Sequence, residues 1–162
     1  MFSKLLFATL AGAVVLFLWD GLMQALPGVG VRAVQTTEAS ALLPEIAAAP
    51  GMTYVTTPES VSFVSTQPAG YYDVTRFFVI EAVSALVVSV LLAALFTTVR
   101  LSSRSKMLLV ASIAGAAASA AIHIPYWNWW GFSIAYTAGV IAKTVFGWMA
   151  VALVQSRFIR LR

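Results

Sequence analysis

The sequence predicts an all-α membrane protein of four transmembrane helices, with a small external subdomain inserted between the first two. Three observations carry this. Four long apolar runs take up most of a 162-residue chain that is 60% hydrophobic and 10% charged, against about 25% charged residues in soluble domains. The positive charges cluster in the segments that would share one membrane side. A single polar stretch of about fifty residues, rich in turn and strand formers, separates the first two runs.

The first run, 5–26, is long enough for the roughly 30 Å hydrocarbon core of a bilayer. It follows a lone Lys4 and has the look of a signal peptide. It is too long for that, and no small-x-small cleavage site follows, so a retained helix is expected, ended by Pro27-Gly28. Residues 27–76 form the external loop. Within it, 36–49 reads as a short amphipathic helix interrupted at Pro44. Residues 52–57 (MTYVTT) and 61–67 (VSFVSTQ) alternate and are rich in β-branched and aromatic side chains, separated by Pro58-Glu59-Ser60, which predicts a β-hairpin. The second run is 77–99. The third is 107–124, barely long enough to span, stopped by Pro125. An aromatic connection, Tyr126 to Gly131, leads to the fourth, 132–154.

Orientation follows from the basic residues. Lys4, Arg100, Arg104, Lys106, Arg157, Arg160 and Arg162 fall on one side of the four crossings, and only Arg32 and Arg76 on the other. The positive-inside rule places both termini in the cytoplasm and 27–76 outside, as expected of a multi-pass protein of a bacterial inner membrane. Trp19, Tyr126, Trp127, Trp129 and Trp130 gather towards the external side. An interfacial belt explains them more simply than ligand stacking does.

The order of features resembles a set of uncharacterised small bacterial four-helix inner-membrane proteins of unknown function. The resemblance rests on Trp19-Asp20 through Leu26-Pro27, on Leu42-Leu43-Pro44-Glu45, on Pro50-Gly51-Met52-Thr53-Tyr54, and on Pro125-Tyr126-Trp127-Asn128-Trp129-Trp130-Gly131-Phe132. It implies the same four-helix fold and no assigned chemistry.

Each predicted helix carries one ionisable residue at depth: Asp20, Glu81, His123 and Lys143. An ionised Lys or Asp near a helix centre costs roughly 2.5–3.5 kcal/mol on an insertion scale, so these residues should face protein or water. Each lies on a row at spacing four made mostly of small side chains. The rows are Ala8, Gly12, Leu16, Asp20 and Gln24; then Glu81, Ala85, Ser89 and Ala93; then Ala111, Gly115, Ser119 and His123; and Ala135, Gly139, Lys143 and Gly147. Small residues at this spacing let helix backbones approach closely. Helical side chains tilt towards the helix N-terminus, so Lys143 should reach outward to Asp20 or Glu81, with His123 nearby. Such a cluster either fixes one arrangement of the helices, the plainer reading, or forms a proton or ion path.

The chain has no cysteine, which excludes disulfides, thiolate metal sites and a thiol nucleophile. One histidine cannot build a bis-histidine haem or a multi-histidine metal cage within the chain. Neither a nucleophile elbow nor a phosphate loop is present, and the basic loops answer to topology rather than to nucleic acid. No metal or cofactor is expected. Three functions follow as expectations. The first is a non-catalytic accessory or assembly subunit of a larger bacterial inner-membrane complex, partnered by the bilayer and by other membrane subunits or itself. The second is a small transporter or ion- or proton-conducting homo-oligomer built on Lys143 with Asp20 and Glu81. The third is a pigment- or haem-associated protein using His123.

Overall fold

The computed structural model describes residues 2–26, 51–71, 73–99, 101 and 103–159. The helix expected over 36–49 lies outside them. Four long helices, α1 (Phe2–Ala25), α2 (Val74–Val99), α3 (Arg104–Trp130) and α4 (Ile134–Gln155), are joined by a β-hairpin, β1 (Gly51–Thr56) and β2 (Val61–Thr66), between α1 and α2. All four helices are long and apolar enough to cross a membrane. The chain divides into two compact units, Met1–Val34 with Phe78–Arg162, and Gln35–Phe77.

In the smaller unit, β1 and β2 pair antiparallel from Gly51↔Thr66 to Thr56↔Val61. Four residues, Thr57 to Ser60, close the hairpin. The Thr57 amide donates to Ser60 O at 2.8 Å, and the Ser60 amide donates back to Thr57 Oγ1 at 3.0 Å. Pro58 suits the second position of such a turn because its ring fixes φ. Asp73 starts α2 by accepting the Arg76 amide on Oδ1 at 3.0 Å, which satisfies one of the free amides of a helix start. The Arg76 guanidinium lies 4.0 Å from the centre of the Tyr71 ring.

In the larger unit the packing follows the small residues. Gly115 brings α3 against the α4 backbone: a Cβ there would stand 3.4 Å from Val145 Cα and 3.5 Å from Thr144 O. Gly147 brings α4 against α1, where a Cβ would meet Trp19 and Leu16. The apolar core runs from Leu16 and Ala85 through Leu92, Phe96 and Ala111 to Leu101, Met107, Val151 and Ala152. Large apolar side chains cover the outward faces, among them Phe7, Leu18, Phe78, Leu91, Ile113 and Phe146. Several hydroxyls of the long helices bond to their own backbones, as Ser112 to Leu108 O at 2.8 Å and Thr144 to Val140 O at 2.9 Å. In hydrocarbon an unbonded hydroxyl has no water to turn to.

One expected boundary fails. The third helix does not stop at Pro125. It begins at Arg104, capped by Ser103, and runs through Pro125 to Trp130. The aromatic stretch Tyr126–Trp130, expected as a connection, is helical. Proline removes only its own amide from the helix ladder, and transmembrane helices tolerate it where neighbours or local adjustment satisfy the freed carbonyl. The stop comes at Gly131, with φ 70°, a left-handed conformation that favours glycine. The Phe132 amide then closes on Tyr126 O at 3.4 Å. The aromatic side chains hold this last turn together: Tyr126 stacks on Trp130 with ring centres 4.6 Å apart.

Candidate functional site: an intramembrane ionic cluster

Asp20 sits one turn before the end of α1, and Lys143 near the middle of α4. Because α1 and α4 pack through Gly147, the ammonium can reach across. Lys143 Nζ lies 3.0 Å from Asp20 Oδ1, with both side chains 16% exposed. Trp19, next to Asp20, donates its indole N–H to the Lys143 carbonyl at 2.9 Å. Two adjacent residues of α1 thus hold the side chain and the backbone of one residue of α4. Glu81 of α2 lies close enough to Asp20 and Lys143 for their charges to interact.

His123 of α3 is near enough to Lys143 for their charges to interact. Its ring meets the edges of Tyr126 at 5.8 Å and Tyr136 at 6.3 Å. Its Nδ1 is buried and has no hydrogen-bond partner among the described residues. Of the aromatics expected in an interfacial belt, Trp127 and Trp129 are exposed, at 44% and 75%. Trp19 turns inward to the α1–α4 contact instead. Tyr126 and Trp130 pack on each other. Among the described residues, no group of three or more acidic or histidine side chains is arranged to hold a metal ion.

The small residues of the expected rows are inward on three helices, while Gln24, at the end of the α1 row, is exposed. Ala8, Gly12 and Leu16 are buried on α1, Ala85, Ser89 and Ala93 on α2, and Ala111, Gly115 and Ser119 on α3. On α4 the row divides. Gly147 is buried, whereas Ala135 is exposed and a Cβ at Gly139 would meet nothing within 4 Å. Spacing four advances about 40° per step around a 3.6-residue helix. The inward row of α4 therefore continues the other way, through Val151 to Gln155.

That continuation ends in a polar contact that composition alone does not reveal. Gln155 is fully buried and donates from Nε2 to Ser89 O and to Ser89 Oγ, both at 2.9 Å. Ser89 Oγ donates in turn to Thr9 O at 2.7 Å. Three helices, α4, α2 and α1, are tied at one level, at the opposite end of the spans from the ionic cluster. The signal in the sequence is a glutamine at spacing four from Gly147 and Val151, hidden by its place beside the basic tail. Interhelical hydrogen bonds of this kind contribute about 0.6 kcal/mol on average in membranes. Gln155→Leu, similar in volume, is therefore expected to cost no more than about 1 kcal/mol in a denaturation series in mixed micelles; a larger loss would show that the contact organises the bundle.

No protein-family model, no curated protein and no solved structure matches this chain.

Proposed function

We propose that this chain is a non-catalytic accessory or assembly subunit of a larger complex in a bacterial inner membrane, with both termini cytoplasmic and the 27–76 loop periplasmic. The observation that carries the reading is a face of α4 left uncovered by the other described residues. Ala135, Ala138 and Ala142 are exposed there, and Gly139 between them has open space where a Cβ would stand. Such a strip, with small residues three and four apart, is what a second transmembrane helix packs against; lipid chains gain little from it. The intramembrane charges support the same reading, because Lys143 and Asp20 are spent on each other inside the bundle. The orientation rests on the basic residues Lys4, Arg104, Lys106 and Arg157 against Arg76.

The test is gentle extraction from the native membrane, native electrophoresis and mass spectrometry of what migrates with the chain. A defined hetero-complex is expected. Gly139→Leu should release the partner and leave the chain's helicity and thermal stability unchanged, because a Cβ at this position meets nothing within 4 Å among the described residues. A chain that runs alone, or a complex indifferent to Gly139→Leu, would sink the reading. A homo-oligomer would favour instead the ion-conducting alternative.

A further inference from the structure

Ser112 and Thr144 bond to their own helices, and Ser89 bonds across to α1. Ser119 of α3 and Thr137 of α4 do neither. Ser119 is 3% exposed and Thr137 8%. The side-chain oxygen of each is buried with no hydrogen-bond partner among the described residues, and His123 Nδ1 shares that condition.

These three atoms fall on one seam. α3 packs mainly against α4, and two contacts fix the register of the pair. At one level Gly115 meets Thr144 and Val145; at the other the His123 ring lies 6.3 Å from the Tyr136 ring. Ser119 stands midway between Gly115 and His123, about one turn of α3 from each. Thr137 directly follows Tyr136 and lies about two turns before Thr144, on the same face of α4. Close backbone approach at Gly115 bounds the seam on one side. The rings of Tyr126 and Tyr136, at the edges of His123, bound it on the other.

We propose that this seam is a binding site for water between α3 and α4, with Ser119 Oγ, His123 Nδ1 and Thr137 Oγ1 as its ligands. A buried polar atom left unbonded carries its full desolvation cost, and a membrane offers no bulk water to relieve it. A hydroxyl can donate or accept, and an imidazole nitrogen does one or the other according to its tautomer. Water answers every one of these states, whereas a carbonyl group could only accept. Size favours the same occupant, because helices that meet at Gly115, one turn from Ser119, hold a small molecule more readily than an organic ring. Buried waters typically make about three hydrogen bonds, and three ligands converge here. The contact of Gln155 with Ser89 ties α4, α2 and α1 but leaves out α3; the water site gives α3 its polar link to the bundle. The site lies within one chain and does not rest on the assembly role proposed above.

His123 is the only histidine of the chain, so histidine labelled with nitrogen-15 reports this site alone. Solid-state NMR of the full chain in lipid bilayers, with magnetisation started on water, should show transfer to His123 Nδ1. In the double variant Ser119→Ala, Thr137→Val that transfer should fall at least twofold, while the exposed Trp129 indole keeps its own. Absence of transfer in the unaltered chain would overturn the proposal without any variant. Transfer undiminished in a folded double variant would also overturn it, because the water would then come from the membrane surface and not from the site. Thermal unfolding adds a test of sign. Removing a hydroxyl that ligates water should lower the midpoint of Ser119→Ala; a raised midpoint, as expected when an unbonded buried hydroxyl is deleted from a dry seam, would sink the idea.

Discussion

Lys143→Met is expected to destabilise the folded chain by about 3–5 kcal/mol, the range for removing one partner of a buried ion pair. Asp20→Asn should cost clearly less. The asymmetry comes from the third member of the cluster. Without Asp20, the ammonium still has Glu81 within its field; without Lys143, two neighbouring acids have no counter-charge. Unfolding in mixed micelles measures both costs. Equal costs for the two substitutions would mean that Glu81 is not coupled to Lys143. The Trp19 bond to the Lys143 carbonyl remains in both variants, which keeps the α1–α4 contact in place while the charges are varied.

The second large effect is expected at Gly12. A Cβ there would collide with Ser89 Oγ and stand 2.9 Å from Gln155 Nε2 and 3.0 Å from Val151 Cγ1. None of these atoms is free to move aside. Ser89 Oγ and Gln155 Nε2 are held by the hydrogen bonds that tie α1, α2 and α4, and Val151 is fully buried. Gly12→Ala should therefore cost about 1–3 kcal/mol, as overpacking does, and Gly12→Leu should prevent the three helices from closing. Gly21, on the same helix, is the control. A Cβ at Gly21 meets nothing within 4 Å, so Gly21→Ala should be neutral or gain up to about 1 kcal/mol of helix propensity. Thermal unfolding of the two alanine variants side by side separates close packing from a general effect of glycine.

Residue depth and spacing made much of the ionic cluster legible. Lys143 lies near the middle of α4, where a charge needs a partner, and the tilt of helical side chains sends it towards Asp20. The pin from Trp19 was not legible. A tryptophan near a span end suits an interfacial belt equally well, and its inward turn depends on the gap that Gly147 leaves. Gln155 escaped for a related reason: a glutamine next to Arg157 reads as part of a polar tail until α2 is seen beside it.

The sequence by itself determined the four spans, the hairpin around Pro58 and the side of each helix that carries small residues. These are consequences of local length, alternation and periodicity, and they do not depend on what the segment packs against. Tertiary structure decided the rest. Pro125 was tolerated inside α3 because a lost backbone bond can be offset by neighbours, and the chain waited for Gly131 to stop. The row on α4 split at Lys143 because a spacing of four drifts around the helix, and only the positions of α1 and α3 select which part faces inward. Gly139 and Ala135 were left outward by that selection, and Gln155 was drawn in. A period of 3.6 residues fixes which residues share a face, whereas the neighbouring helices fix which face is buried.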